Sequence, residues 1–388
     1  MESANRKFYF SIISYVCGER SRGEDMKKIA FLRPAQTLSQ YEMDYVRLLE
    51  DEFELQVFTV GESAIGSENV SAVRLKWPDQ FMWNGRERSF MNAFYARVFR
   101  RRYHLPGLEK VLKGFDIVQA GEARSEYSYQ AALLKPHFGY KLFLSASENQ
   151  PIFEDCNNSM RRRIELVLER TDHAFCIPME AQERLISAGL ASDKITVIGH
   201  GIDCDRFCPA GEKVERDFRV GYCGRFRKEK GLSNLIRAAK ESDIELLLLG
   251  EGPEEDELRK IAGEKVRFLP ARLYHEIHTF YHDIDLFVLP SIPVPGLVEQ
   301  FGFVLMEAMA SGIPVAASRI GGIPNVLGDV GIFVEPGNVE ELKNAIIKIR
   351  DDADLRKELG IRGRARALQL FRREAVVNKM RERYRKVL

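Results

Sequence analysis

Two periodicities alternate along this chain, and they constrain its fold more than any other feature. Short apolar runs rich in β-branched and aromatic residues alternate with longer stretches that have helical spacing. Apolar strands separated by helices indicate parallel sheets that are covered by helices on both faces. The predicted strands are 29–32, 55–60, 70–75, 116–120, 141–146, 174–177, 195–198, 219–223, 245–249, 266–269, 286–289, 314–317 and 332–334.

The strands fall into two series, which predicts two doubly wound α/β domains in a chain of 388 residues. We place the first domain at 26–198 and a second domain at 199–370. A C-terminal helix at 371–388 is expected to join the first domain. The stretch 199–213 is rich in Gly, Asp, Cys and Pro, which favours a domain boundary there.

Residues 1–25 are an N-terminal extension whose status the sequence leaves open. The apolar stretch at 8–17 resembles a short signal peptide or a lipid-modified export signal. However, Tyr15 and Val16 precede Cys17 where small residues would be needed for cleavage. An upstream extension or an extra strand is therefore the favoured interpretation.

Composition excludes several classes of protein. Lys plus Arg is 58 and Asp plus Glu is 57, so the net charge of +1 argues against a protein that coats nucleic acid. No run approaches the 18 apolar residues of a membrane-spanning helix. The six cysteines form no C-x-x-C pair, which is typical of a reducing compartment, so we expect a cytoplasmic protein.

Residues 74–113, here the basic segment, depart from this neutral average. They carry ten Lys or Arg against three Asp or Glu, a net charge of +7, with aromatic residues interleaved. Such a segment is compatible with peripheral contact with an anionic membrane at its inner face. It is equally compatible with gripping a lipid-linked phosphate, or with a helix that covers the sheet and leaves its arginines solvated.

Neither a dinucleotide fingerprint nor a P-loop is present, but one loop has the residues to hold a pyrophosphate. Gly224 and Arg225 follow a predicted strand, and Lys230 and Gly231 precede a predicted helix. A guanidinium fork, a second point charge and a helix N-terminus suit a diphosphate. The alternative is a solvated, charged loop.

Two carboxylates lie in a second stretch. Glu299 precedes a turn at Phe301, Gly302 and Phe303, and Glu307 follows inside an apolar helix. A buried carboxylate needs partners, and sugar or ribose hydroxyls donate hydrogen bonds to it. The alternative for Glu307 is a buried ion pair.

Together these residues resemble the nucleotide-sugar domain of family 4 retaining glycosyltransferases, which have the α/β GT-B fold of two doubly wound Rossmann-like domains facing a cleft. The matching pattern is Gly-Arg-x4-Lys-Gly, Glu-x7-Glu, Gly-x-Pro-Val and Gly-Gly, in that order. Its residues are Gly224, Arg225, Lys230, Gly231, Glu299, Glu307, Gly312, Pro314, Val315, Gly321 and Gly322.

The resemblance implies transfer of a hexose from a UDP- or GDP-linked sugar to a glycan or lipid-linked acceptor hydroxyl, with retention of configuration and without a metal. Arg225 and Lys230 would hold the diphosphate and stabilise its developing charge. Glu299 would accept hydrogen bonds from the donor sugar and Glu307 from the ribose. The backbone at Gly224, and around Phe301, Gly302 and Phe303, would contact the donor.

The first domain departs from this family. Gly121 stands where many members have a histidine, so Glu122 is our candidate for the polar partner of the reacting sugar or acceptor, with Glu148 as a second. The departure motivates an alternative function, a nucleotide-sugar-binding protein that has lost catalysis. Nucleic-acid binding is not expected, because no reading module is recognised.

Two motifs resemble metal sites, but we interpret both as structural. His275, His278 and His282 share a helical face that could bind a metal, but a packed or surface helix is favoured. Asp283-Ile284-Asp285 copies a metal-binding D-x-D, yet it precedes a strand, so we interpret it as a helix-to-strand link.

Overall fold

A computed structural model describes most of the chain, and its residues form two α/β units. The first unit comprises the described residues up to Gly199 together with Val377–Leu388, and the second is His200–Val376. The described residues are 26–33, 46–59, 72–74, 108–147, 151–177, 179–211, 216–294, 299 and 302–388.

The first unit is built on a parallel sheet of seven strands in the order β3-β2-β1-β4-β5-β6-β7. The chain moves outward from β1 to β3 and returns to place β4 beside β1, as in a doubly wound fold. Its strands are β1 Lys28–Leu32, β2 Glu54–Thr59, β3 Ala72–Arg74, β4 Ile117–Ala120, β5 Lys141–Ala146, β6 His173–Cys176 and β7 Ile195–Val197. Its helices are α1 Leu108–Val111, α2 Glu126–Phe138, α3 Asn158–Arg170 and α4 Met179–Ser187, with 3-10 turns at Arg47–Leu49 and Ser192–Lys194.

Strands β1, β4 and β5 are buried almost end to end, as their unbroken apolar sequences require. Helix α2 begins where the Ser125 side chain accepts a hydrogen bond from Tyr127 N, and it ends at the left-handed Gly139. The cap at Ser125, whose N–H donates to Glu122 O at 2.9 Å, fixes the loop between β4 and α2, which carries Gly121 and Glu122.

The second unit has a parallel sheet of six strands in the order β10-β9-β8-β11-β12-β13. Its strands are β8 Arg219–Cys223, β9 Glu245–Leu249, β10 Val266–Leu269, β11 Leu286–Leu289, β12 Val315–Ser318 and β13 Ile332–Val334. Its helices are α5 Leu232–Glu241, α6 Glu255–Ile261, α7 His278–His282, α8 Phe303–Ala310, α9 Ile323–Leu327, α10 Val339–Asp351 and α11 Ala353–Leu370, with 3-10 turns at Lys228–Lys230 and Tyr274–Glu276.

The last helix, α12 Arg373–Val387, begins in the second unit and continues in the first. Tyr384 near its end is buried against Phe143 and Phe175 of the first sheet. Its hydroxyl donates to Gln119, whose amide in turn donates to Ser145 Oγ at 2.7 Å. The end of the chain is therefore part of the core of the first unit.

The predicted fold class is confirmed, since both sheets are parallel and doubly wound. Residues 1–25 and most of the basic segment lie outside the described residues, so the interpretations placed on them stay predictions. Within the described part of the chain, no helix combines the length and the apolar character needed to cross a bilayer.

Candidate active site

The loop after β8 is held against its neighbours by close backbone packing. A Cβ atom at Gly231, whose φ is +64°, would lie 2.1 Å from the carbonyl oxygen of Pro290 at the end of β11. On the other side, Phe226 N donates to Glu251 O at 2.8 Å, and a Cβ at Gly252 would lie 2.3 Å from Phe226 O. The turn Gly250–Gly252 thus fixes the loop that carries Arg225.

Lys230 and Glu299 form an ion pair. Lys230 Nζ donates to Glu299 Oε2 at 2.5 Å, and Ser291 Oγ donates to the same oxygen at 3.0 Å. The two charged side chains are 20% and 11% exposed. Sequence reasoning gave the two residues separate ligand contacts, whereas here they contact each other.

The three stretches singled out in the sequence meet at this pair. Ile292 N donates to Glu229 O at 2.9 Å, which joins the end of β11 to the Lys230 turn. Gly322 N donates to Glu299 O at 3.0 Å, which joins the Gly-Gly turn to the same place. Ser291 was missed because a single serine after a strand has no spacing pattern to reveal it.

Helix α8 begins beside Glu299. Gly302 precedes it in the left-handed conformation, with φ 73° and ψ 62°, and Phe303 at the first turn is 40% exposed. The first N–H groups of a helix have no acceptor within it, so this end attracts an anion. Phe301, predicted to contact the donor, lies outside the described residues.

His200 supports the start of α8. Its ring lies edge-on to Phe303 with 4.1 Å between ring centroids. Burial lowers the pKa of His200 to about 3, so the imidazole is neutral at physiological pH. The sequence placed His200 only in the stretch between the domains.

Arg225 is exposed at the rim of the loop and makes no ion pair with the residues that the structure describes. Its backbone is fixed, because the buried Tyr222 hydroxyl donates to Arg225 O at 3.0 Å. The guanidinium is therefore available on an ordered backbone.

Glu307 is not in an ion pair with any described residue. Its side chain lies on the buried face of α8, and the Tyr281 hydroxyl donates to Glu307 Oε2 at 2.7 Å. Burial raises the pKa of Glu307 to about 7, while the hydrogen bond from Tyr281 acts in the opposite direction. The sequence alternative of a buried ion pair is therefore wrong within the described chain.

In the first unit, the loop after β4 is held by local hydrogen bonds. Glu122 Oε1 accepts from Ser147 N at 2.8 Å and from Ser147 Oγ at 2.5 Å. Gly121 O accepts from the buried Ser128 Oγ at 2.6 Å, and a Cβ at Gly121 would lie 3.3 Å from Nη1 of the buried Arg33. Glu148, the second candidate, lies outside the described residues.

The histidine face and the Asp283-Ile284-Asp285 motif make hydrogen bonds within the protein. His278 Nδ1 lies 2.9 Å from His275 O, and His282 Nε2 lies 3.0 Å from Cys208 O. Asp285, between α7 and β11, accepts from the Arg216 side chain and from Arg219 N, which joins this connection to the start of β8. Among the described residues, no group of three or more His, Cys, Asp or Glu could hold a metal ion.

Solved structures with this architecture match the chain over most of its length. HepE from Anabaena in complex with UDP has a TM-score of 0.70 at 19% identity, with 93% of this chain and 100% of that chain covered. Sucrose-phosphate synthase from Thermosynechococcus elongatus has a TM-score of 0.69 at 20% identity, with 93% and 99% covered. The protein thus has the two-domain α/β fold known as GT-B.

The second unit matches a known family. Residues 206–366 match the family described as Glycosyl transferases group 1. A D-inositol 3-phosphate glycosyltransferase of Pseudarthrobacter chlorophenolicus is 30% identical over 205 residues, 47% of this chain and 48% of that protein. An N-acetyl-alpha-D-glucosaminyl L-malate synthase of Bacillus anthracis is 32% identical over 174 residues, 42% and 44%.

Residues 206–366 are therefore similar to the glycosyl transferases group 1, in agreement with the family that the motifs resemble. The chain spans about half the length of these two relatives.

Proposed function

We propose that the protein is a retaining glycosyltransferase that moves a hexose from a nucleoside diphosphate sugar to an acceptor hydroxyl. The observation that carries the proposal is the ion pair of Lys230 and Glu299 beside the N-terminus of α8. A cation, a carboxylate and free backbone N–H groups are the groups that a sugar diphosphate needs, and here three separate loops bring them together.

The diphosphate takes Lys230 away from Glu299 when the donor binds. Lys230 and the exposed guanidinium of Arg225 then face the two phosphates, and the first N–H groups of α8 lie beside them. As the bond from the anomeric carbon to the diphosphate oxygen breaks, negative charge grows on the leaving group. Fixed cations and a helix N-terminus stabilise that charge, so no metal is required.

The carboxylates recognise hydroxyl groups. Glu299, released from Lys230 but still bonded to Ser291, accepts hydrogen bonds from the donor sugar. Glu307 accepts them from the ribose. In the first unit, Glu122 is the polar partner of the acceptor, and its Oε1 is positioned by Ser147.

The donor base and sugar are the first properties to test. One relative is named as a GDP-mannose-dependent mannosyltransferase, and the HepE structure holds UDP. A thermal-shift panel of UDP- and GDP-linked hexoses should separate these classes. A ligand at 100 times its dissociation constant adds about 2.7 kcal/mol of stability, which is a clear shift.

Arg225→Ala provides the decisive test of the site. We expect transfer to fall at least about 100-fold, because a cation on the leaving diphosphate is lost. The free energy of unfolding should not change, since the side chain is exposed and unpaired among the described residues. Transfer is followed by release of free nucleotide from the donor that the panel selects.

Lys228→Ala is the matched control, because Lys228 is an exposed cation in the same turn. It should retain nearly full transfer. Equal activity of the wild type, Arg225→Ala and Lys228→Ala would overturn the assignment. Donor binding without nucleotide release, with any acceptor tried, would instead support the alternative function, a nucleotide-sugar-binding protein without catalysis. Gly121 motivates that alternative, because it stands where many family members have a histidine.

A further inference from the structure

Glu307 and Tyr281 form a buried pair beneath the proposed donor site. Tyr281 is fully buried and Glu307 is 4% exposed. The Tyr281 hydroxyl lies 2.7 Å from Glu307 Oε2 and 3.3 Å from Val304 O, in the first turn of α8. The tyrosine therefore contacts both the carboxylate and the helix end that the donor uses.

The described surroundings of Glu307 offer no cation to balance its charge. Helix α8 packs against α7, α9, α11, β11 and β12. Strands β11 and β12 and helix α9 have no titratable side chain. On α11, Arg364 donates to Ala310 O at the far end of α8.

The remaining titratable neighbours are on α7, on β8 and just before α7, where Arg272 acts on Cys223 and Tyr274 acts on Tyr281. On α7, the rings of His278 and His282 face the carbonyls of His275 and Cys208, which leaves Tyr281 as the group that contacts the carboxylate. On β8, the Cys223 thiol has a pKa raised by its burial, and the Glu307 carboxylate raises it further. A single phenol thus supports a buried carboxylate.

We propose that Tyr281 is a positioning residue for the donor ribose: it holds one oxygen of Glu307 and leaves the other to the ribose hydroxyls, so donor affinity depends on Glu307 being ionised. The inference rests on the proposed function, because it assumes that Glu307 faces a nucleotide. It adds a positioning residue and a pH dependence to that site.

The sign of the pH dependence follows from the burial of Glu307. Because burial raises the pKa of Glu307 to about 7, the ionised form predominates above pH 7 and is lost as pH falls. Only the ionised form offers acceptor lone pairs without a competing proton. His200 stays neutral over this range, since its pKa is about 3, and does not contribute.

The test is calorimetric titration of UDP-glucose and GDP-mannose into wild type, Tyr281→Phe and Glu307→Gln between pH 6 and pH 8.5. The diphosphate of a nucleotide sugar has no proton to gain in this range, so any pH dependence comes from the protein. Wild-type affinity should fall about tenfold between pH 8 and pH 6, as one unit below a pKa of 7 requires. Glu307→Gln should bind more weakly, with no pH dependence.

Tyr281→Phe distinguishes positioning from packing. The hydrogen bond from Tyr281 stabilises the ionised carboxylate, so its loss raises the pKa of Glu307 and moves the midpoint of affinity to higher pH. The deficit in affinity should therefore be greatest at pH 6 and shrink towards pH 8.5. Tyr140→Phe is the control, because it removes a buried hydroxyl bonded to Ala131 O in the first unit and should leave donor affinity unchanged.

A flat wild-type profile, or an equal loss at every pH in Tyr281→Phe, would overturn the inference. If Tyr281→Phe does not fold, the contrast between wild type and Glu307→Gln still decides it. If Arg225→Ala weakens donor binding while pH has no effect, this inference fails and the proposed function stands. If neither these two nor any other nucleotide sugar of the thermal-shift panel binds the wild type at any pH, both fail.

Discussion

The two units share one architecture but use the ends of their strands differently. In the second unit, loops from β8, β11 and β12 meet, and charged side chains from two of them pair across the gap. In the first unit, Glu122 at the end of β4 bonds to Ser147 at the end of β5 through one oxygen. The loops of the second unit bring a cation and a carboxylate together, whereas those of the first unit provide hydrogen bonds to a carboxylate from a neighbouring serine.

This difference explains why sequence motifs of a known family are found in the second unit. Holding cations and a carboxylate in place demands particular residues at particular loop positions, so a spacing pattern survives in the sequence. A carboxylate that is satisfied by a neighbouring serine demands no such pattern. The family match accordingly covers residues 206–366.

Removal of one partner of the Lys230–Glu299 pair tests the contrast between the two units most directly. We expect Lys230→Met to lower transfer at least about 100-fold, because it loses a cation on the leaving group. It should also destabilise the fold by about 3 kcal/mol, since Glu299 is left as a mostly buried charge without its partner. Transfer rates and denaturant unfolding measure the two effects.

A double-mutant cycle isolates the pair. Glu299→Gln alone leaves Lys230 without its partner, and combining it with Lys230→Met removes both charges. The double variant should be more stable than the sum of the two single losses implies. Additive losses would mean that the charges do not support each other, and the contrast between the units would lose its basis.

A second prediction concerns the backbone that brings these loops together. Gly231→Ala should destabilise the second unit by about 3 kcal/mol or more. The new Cβ would collide with Pro290 O, and the alanine backbone would have to keep a left-handed conformation. Gly139→Ala in the first unit has a similar φ of +78° but no atom within 4 Å, so about 1 kcal/mol is expected. Chemical denaturation checks both.

The ratio of these two losses is the informative quantity. Equal losses would show that only the backbone conformation matters and that the close approach of the Lys230 turn to β11 does not. A larger loss in Gly231→Ala, accompanied by weaker donor binding, would show that the same contact supports both the fold and the site.

The sequence predicted the sheets well because buried parallel strands need unbroken apolar runs. Strands 141–146, 219–223, 245–249, 266–269, 286–289 and 332–334 were predicted with the bounds that the structure has. The helix Ala353–Leu370 was not predicted, because charged residues interrupt its apolar spacing.

The candidate site was predicted only in part. Arg225, Lys230, Glu299 and Glu307 belong to a spaced motif, so the sequence singles them out, and their roles stay predictions. Ser291 and Tyr281 have no such motif, and their roles arise from contacts between elements distant in sequence. The direct pairing of Lys230 with Glu299 is likewise a consequence of packing, which a linear motif does not encode.

The smallest expected effect belongs to Glu122 in the first unit. In Glu122→Gln, the amide oxygen can still accept from Ser147, so the fold should lose about 1 kcal/mol, the typical cost of a single substitution. If Glu122 also contacts the acceptor, as the sequence predicts, transfer should fall about tenfold while donor affinity is unchanged, since one charge-assisted hydrogen bond is lost. Ser147→Ala keeps the charge and removes only the hydroxyl contact, so it should retain most of the activity. Full activity in Glu122→Gln together with a loss in Ser147→Ala would show that the loop contact matters and the charge does not.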